Sequence, residues 1–259
     1  MSETGGTLPQ ASAWVQAEVI DFISDLHLSP DMPQTQAAFL AYLSNTQAQA
    51  LVLLGDVFEA WIGDDALTQP FEAECAQALR GFTQQRPLLL MRGNRDFLLG
   101  AAFFEAIGAQ NLPDPCVLRS PLGQALLTHG DAWCVADTAY QQFRSQVRQT
   151  AWQSAFLAKP LPERLAIAQG LRAASQAHQQ DPNHSHADVD LSVAARHLLA
   201  TNCDVLVHGH THQPSTQLWA AGLQRHVLSD WDLDGQGAPR CEVLRWSLDG
   251  WQRLPPSAC

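Results

Sequence analysis

Short apolar runs, each closed by Asp, Asn, His or Gly, set the rhythm of this chain. Val19-Ile20-Asp21-Phe22-Ile23 reads as a strand and leads straight into Ser24-Asp25-Leu26-His27-Leu28. Leu51-Val52-Leu53-Leu54 is continuous rather than alternating, the pattern of a strand buried on both faces, and it ends in Gly55-Asp56. Leu88-Leu89-Leu90-Met91 ends in Gly93-Asn94-Arg95-Asp96, and Ala125-Leu126-Leu127 ends in Thr128-His129-Gly130-Asp131. A last run over 204–207 ends in His208-Gly209-His210-Thr211-His212-Gln213-Pro214. Between the runs, Ala37, Phe39, Leu40 and Leu43 recur at helical spacing over about 32–44, and a second helix is predicted over 71–82. After His212 the pattern is strand-like again at 216–219, 225–228 and 241–246, with an Asp- and Gly-rich connection over 230–239. Strand-then-helix alternation places the chain in the α/β class. Residues 1–18 show no apolar period and read as a disordered lead, leaving one domain over 19–259.

Five strands therefore deliver polar, ligand-capable residues at their C-terminal ends, where open α/β sheets bind their ligands. In an extended segment residues i and i+2 face the same way, so His208, His210 and His212 can point together into one site. A single histidine after a buried strand suits a polar turn; three suit a metal centre better. Taken singly, Asp25 could cap the following turn, Asn94 could sit in a tight turn and His129 could be a satisfied core residue. Together with His27, Asp56, His210 and His212 they form a mixed nitrogen and oxygen donor set. Such a set points to Mn²⁺, Fe²⁺ or Zn²⁺ rather than Ca²⁺. Asp56, alone on its strand end, suits a carboxylate shared between two ions. Two such ions can generate a hydroxide at neutral pH and clamp a phosphoryl group for in-line displacement.

Composition narrows the partners. Of 259 residues, 46% are hydrophobic and 16% charged, enough for one sizeable core. A net charge of −11 argues against a nucleic-acid binder but not against an anionic substrate, because bound divalent cations reverse the local field. No apolar run is long enough to span a bilayer, and no signal peptide is evident. Six cysteines without paired spacing read as reduced, cytosolic thiols. The region 137–200 is rich in Ala, Gln and Arg and is predicted to be helical. Up to Gln180 it carries Arg144, Arg148, Lys159, Arg164 and Arg172 against Asp137 and Glu163 alone. By itself that is a solvated helical hairpin. Between two ligand-bearing strands it is placed to cap the site and to attract a phosphorylated or membrane-bound anion. His178, His184 and His186 lack a strand context and read as loop residues.

Asp25-x-His27, Gly55-Asp56, Gly93-Asn94, His129-Gly130 and Gly209-His210-x-His212, in this order, resemble the motifs of the calcineurin-like metallophosphoesterases. The resemblance implies a four-layer αββα sandwich with an inserted helical cap at about 137–200. It also implies two ions, one taking Asp25, His27, Asp56 and His212, the other Asp56, Asn94, His129 and His210. Many members carry a histidine directly after the metal-binding asparagine; here that position is Arg95. Arginine cannot serve as a proton donor, although it can brace phosphoryl oxygens. An enzyme lacking the acid suits a leaving group that is already good, such as the phosphate departing from a pyrophosphate.

The longer stretches Gly55-Asp56-Val57-Phe58-Glu59-Ala60-Trp61-Ile62-Gly63-Asp64-Asp65, Gly93-Asn94-Arg95-Asp96-Phe97-Leu98-Leu99 and Gly209-His210-Thr211-His212-Gln213-Pro214 resemble the UDP-2,3-diacylglucosamine diphosphatases. That resemblance implies hydrolysis of UDP-2,3-diacylglucosamine to UMP and 2,3-diacylglucosamine 1-phosphate in lipid A biosynthesis. It implies two Mn²⁺, attack on the phosphorus nearer uridine, Asn94 and Arg95 as catalytic residues, and a peripheral place at the cytoplasmic face of the inner membrane. Neither nucleic acid nor an obligate protein partner is expected. Asn94, Arg95, Asp137, Ser175, Gln179 and His210 fall at the family's substrate positions. The family often has Lys where Pro182 stands and a second Asp where Ala136 stands. Phe143, Trp152, Phe156 and Leu157 could line an acyl pocket or simply pack the helices together. Two alternatives remain: a soluble member of the superfamily acting on dinucleoside polyphosphates or phosphoproteins, and a metal-free scaffold, against which stands the presence of all seven ligand residues.

Overall fold

The computed structural model describes residues 12–179, 187–219 and 222–259, and for 173–179 the backbone alone. Two six-stranded sheets form its centre. The first contains β2 (Val19–Ile23), β3 (Ala50–Leu54), β4 (Leu88–Met91), β5 (Gln110–Leu112), β11 (Val243–Ser247) and β12 (Gly250–Leu254), in the order β12-β11-β2-β3-β4-β5. Its members from β2 to β5 run parallel, with β11 and β12 added as an antiparallel edge. The second contains β1 (Ser12–Trp14), β6 (Cys116–Ser120), β7 (Gly123–Thr128), β8 (Val205–His208), β9 (Ser215–Leu218) and β10 (Gln224–Val227), in the order β1-β6-β7-β8-β10-β9.

The layers follow from the pleat. On β3, Val52 and Leu54 meet Leu118, Leu127 and Val207 of the second sheet. Leu51 and Leu53 point the other way, into a core with Phe39 and Leu43 of α1 (Pro33–Asn45), Leu79 of α2 (Pro70–Thr83) and Phe103 of α3 (Ala101–Ile107). Both faces being apolar, the run carries no alternation. On the outer face of the second sheet, Val117, Leu126 and Leu206 pack against Val193, Ala194 and Leu198 of α7 (Leu191–Thr201). The result is the expected four-layer αββα sandwich. All six cysteines are unpaired.

The elements at the N-terminus and in the cap region differ from the sequence reading. Residues 12–18 are not a disordered lead: β1 pairs in parallel with β6, and Ala13, Val15 and Ala17 are buried between the sheets. The alternation is there, but small residues carry it. Residues 1–11 lie outside the described part. Within 137–200, α7 belongs to the outer layer, so the inserted cap consists of α4 (Thr138–Val147), α5 (Thr150–Leu157) and α6 (Leu161–Gln179).

His226 of β10 lies in the second sheet, stacked on Trp251 at 4.7 Å, with its Nδ1 3.1 Å from the Thr216 hydroxyl. Burial, aided by Arg253, lowers its pKa to about 4. Between that value and the ordinary one near 6.5 the unfolded chain binds more protons, so this residue costs stability as pH falls. His226→Gln is expected to lose on the order of 1–2 kcal/mol less than the parent between pH 7 and pH 5. Urea unfolding at the two pH values checks this, and parallel losses in both proteins would refute it.

Candidate metal centre

Six described residues other than glycine have positive φ: Asp25 (52°), His27 (48°), Asp56 (53°), Asn202 (54°), His210 (67°) and His212 (52°). Asn202 ends α7, a place where a left-handed residue is ordinary. The other five are candidate ligands. Left-handed backbone costs a side-chain-bearing residue free energy and persists only where surrounding contacts over-determine it. Here those contacts are the strand-end loops themselves. Asp25 N donates to Gly55 O (3.1 Å), His27 N to Asp56 O (3.0 Å), Gly209 N to His129 O (3.0 Å) and Trp231 N to Asp25 O (3.0 Å). Buried Asp96 accepts from Gly93 N (2.7 Å) and Val57 N (2.8 Å), tying the loop after β4 to the loop after β3.

The glycines of the motifs permit this crowding. A Cβ on Gly93 would strike Asp56 Oδ1 and the Asp56 backbone, and one on Gly209 would strike Asp25 Oδ2 and Ser24 Oγ. Both obstacles are buried and hydrogen-bonded, so neither can yield cheaply. Gly93→Ala is expected to cost about 1–3 kcal/mol of stability by overpacking and to displace Asp56. Thermal unfolding, read beside divalent-ion binding, measures both effects; an unchanged melting temperature would contradict the crowding argument.

The side chains converge from both sheets. Asp25 Oδ1 lies 3.4 Å from His212 Nε2 and 4.0 Å from His27 Nε2, and those two nitrogens are 3.3 Å apart. Asn94 Oδ1 lies 2.9 Å from His129 Nε2 and 2.8 Å from His210 Nδ1, while Asp56 Oδ2 is 3.6 Å from His129 Nε2. Asp25 Oδ2 accepts from His210 N (2.9 Å), so this residue of the first sheet anchors the loop of the second. Among the described residues, two groups have donor atoms within 4.8 Å of one another: Asp25, His27 and His212, and Asp25, Asp56 and His129.

The donor set fits divalent cations. His129 Nδ1 donates to Leu54 O (2.7 Å), which leaves the Nε2 of a neutral ring with a lone pair aimed at two oxygens. Asp25 Oδ1 is buried without a hydrogen-bond partner. Buried lone pairs facing one another are costly unless a positive charge lies among them. The titration behaviour agrees. Burial alone would raise Asp25, yet His212 at 3.4 Å, with His129 and His27, holds it well below the usual carboxylate range. Burial alone would lower His129, yet Asp56, Asp25 and Asp131 push it up to about 9. His210 falls to about 4, first through burial and then through repulsion by His129. The field of the site favours cations.

His208 is the exception among the three histidines. Side chains two apart share a face only along an extended chain, but β8 ends at His208 and the chain then enters the left-handed region at His210 and His212. His208 turns into the protein instead: its Nδ1 donates to Gly209 O (2.8 Å) and its Nε2 accepts from buried Arg225 Nε (2.9 Å). Arg225 in turn pairs with Asp188, where the chain returns from the cap region.

Several residues not singled out in the sequence reading surround the centre. Glu59 Oε2 lies 3.1 Å from His27 Nδ1, and its Oε1 lies 3.6 Å from Arg95 and 2.9 Å from Arg172 Nε. Burial would raise Glu59, but His27, Arg95 and Arg172 lower it overall. Asp230 Oδ2 is 3.6 Å from His212 Nδ1. Buried Asp131 accepts from Arg144 Nε (2.7 Å), and the Tyr140 ring lies 5.9 Å from that of His210. Only the spacing of Glu59, three residues beyond Asp56 in a loop, was available in the sequence to mark it.

The basic cap is less free than its composition implied. Arg144 is bound to Asp131, Arg164 is buried against Asp65, and Lys159 pairs with Glu163 one turn away. These charges tether helices. Arg148, donating to Gly93 O (2.9 Å), and Arg172 remain beside the centre. Asp137 caps α4, accepting from Tyr140 N (2.9 Å). Ser175 and Gln179 fall on the last turns of α6, where the side chains lie outside the described part, as do Pro182, His184 and His186 entirely. Phe156 is buried and Trp152 stacks on it at 5.1 Å, whereas Phe143 and Leu157 are exposed.

Comparison with known proteins agrees with this geometry. The model of the calcineurin-like phosphoesterase family matches residues 19–214. A UDP-2,3-diacylglucosamine hydrolase of Bordetella pertussis is 44% identical over 236 residues, covering 88% of this chain and 92% of that protein. Proteins of the same name from Chromobacterium violaceum (46% identity; 82% of this chain, 90% of that protein) and Stenotrophomonas maltophilia strain R551-3 (41%; 89% and 95%) align similarly. The chain belongs to the calcineurin-like phosphoesterases and, within them, to the UDP-2,3-diacylglucosamine hydrolase family.

Proposed function

We propose that this protein hydrolyses the pyrophosphate bond of UDP-2,3-diacylglucosamine, releasing UMP and 2,3-diacylglucosamine 1-phosphate for lipid A biosynthesis. The chemistry rests on the convergence of seven nitrogen- and oxygen-bearing side chains from five strand ends, with an arginine and no histidine after Asn94. The substrate rests on relatives 41–46% identical that carry that name.

In this reading one divalent ion would be held by Asp25, His27, Asp56 and His212, and the other by Asp56, Asn94, His129 and His210. Mn²⁺ suits the mixed donor set. Such a pair, when bound, supplies a hydroxide at neutral pH and neutralises charge on the attacked phosphoryl group. The protein's residues do the rest. Asp56 uses Oδ1 to accept from Arg95 N (2.7 Å), leaving Oδ2 turned towards His129. Leu54 O holds the His129 proton on Nδ1, keeping Nε2 available as a donor atom. Arg95 braces phosphoryl oxygens through its guanidinium but donates no proton. The departing 1-phosphate is already a good leaving group, so no general acid is required.

The cap supplies the lipid side. Phe143, Leu157, Leu165 and Leu171 are exposed on α4, α5 and α6, apolar side chains that acyl chains or a membrane face could cover. Among the described residues no helix is long and apolar enough to cross a membrane. Peripheral attachment at the cytoplasmic face of the inner membrane fits that arrangement, as do Asp137, Ser175 and Gln179 as contacts to the substrate headgroup.

The test is a comparison of two substrates with added Mn²⁺: UDP-2,3-diacylglucosamine in detergent micelles, and diadenosine tetraphosphate in solution. UMP from the lipid nucleotide, with the dinucleotide untouched, is the expected result. Cleavage of the dinucleotide alone would keep the phosphoesterase chemistry and overturn the lipid substrate.

A further inference from the structure

Glu59 meets three segments of the protein at once. Its carboxylate is mostly buried, at 12% exposure, and lies against the loop after β2 through His27, the loop after β4 through Arg95, and α6 through Arg172. Its backbone is fixed as well, Glu59 N donating to Leu28 O (3.1 Å) and Leu28 N to Val57 O (2.9 Å). We infer that Glu59 is a positioning residue with two separate tasks, orienting the candidate ligand His27 and seating the helical cap through Arg172. The inference deepens the proposed function and rests on it.

The two carboxylate oxygens have separate work. His27 and His212 bring their Nε2 atoms to 3.3 Å, and both can offer a lone pair to one ion only if each carries its proton on Nδ1. Glu59 Oε2, 3.1 Å from His27 Nδ1, stabilises that tautomer. The approach is that of an ion-pair partner rather than an aligned hydrogen bond, so its effect is mainly electrostatic. The other oxygen, Oε1, draws Arg95 and Arg172 towards one point. Two guanidiniums repel when nothing negative stands between them. With the carboxylate there, the cap's arginine and the loop's arginine are both held at one oxygen beside His27. A residue that merely neutralised two arginines would leave ion affinity unaffected, and that separates the two roles.

The experiment uses the full chain stripped of metal and titrated with Mn²⁺ by calorimetry, followed by kcat and KM on the lipid nucleotide. Glu59→Ala is expected to weaken one of the two Mn²⁺ sites by roughly 10–100-fold, the usual penalty for losing an orienting partner of a ligand. Glu59→Gln, which keeps the shape and so guards against a folding artefact, should lose several-fold in Mn²⁺ affinity and raise KM. Arg172→Ala should raise KM while binding Mn²⁺ like the parent. The Glu59→Gln/Arg172→Ala double variant should raise KM by less than the product of the single effects, because both changes break one contact. Parental Mn²⁺ affinity in both Glu59 variants would overturn the inference and leave the proposed function standing. If the parent itself bound no Mn²⁺, the metal centre and this role would fall together.

Discussion

Asp56→Asn is expected to lower turnover by at least about a thousandfold, a loss of several kcal/mol of charge stabilisation. The substitution changes charge and almost nothing else. Asn can still accept from Arg95 N through its amide oxygen, so the loop after β4 keeps its main tie to the loop after β3. What disappears is a buried negative charge, 1% exposed, beside the Nε2 of His129. That carboxylate is the strongest charge raising His129 against burial, and without it the field that favours cations weakens. Metal analysis should therefore find fewer ions per chain, and circular dichroism should find the fold intact. Full activity in this variant would end the two-metal reading.

Arg95→Ala is expected to lower kcat by about 10²–10³-fold while both ions are retained, the range seen when one preorganised donor to a developing charge is removed. The contrast with Asp56 follows from which atoms Arg95 uses. Its backbone N–H serves Asp56, whereas its side chain, among the described residues, pairs with Glu59 at 3.6 Å and is 21% exposed. Truncation thus spares the ion-holding residues and removes only the guanidinium. Arg95→Lys should recover a small part of the loss, because an ammonium cannot grip two oxygens in a plane. The acid limb of the pH–rate profile should not move in either variant, since the guanidinium is not a proton donor. A lost acid limb, or a loss of bound metal equal to the loss of rate, would contradict this role.

Much of the centre was legible because its ligands follow apolar runs directly. Chain order alone put Asp25, Asp56, Asn94, His129 and His210 at strand ends, and parallel pairing brought those ends together. Strands such as β1, β5 and β12 were not legible: three to five residues with small or polar members give too little period to detect. The direction of His208 was misread for a different reason. Period-two reasoning holds only while the backbone stays extended, and the left-handed backbone at His210, two residues after His208, ends it. Glu59, Asp96 and Asp230 act through contacts between distant loops, which no local pattern records.

The most direct test of the account is UMP formation from UDP-2,3-diacylglucosamine by chelator-stripped enzyme as Mn²⁺ is returned in known equivalents. The account expects no UMP from the stripped enzyme, and activity that reaches its plateau when two ions per chain are bound. UMP released at the full rate by metal-free enzyme, or a plateau at one ion, would contradict it.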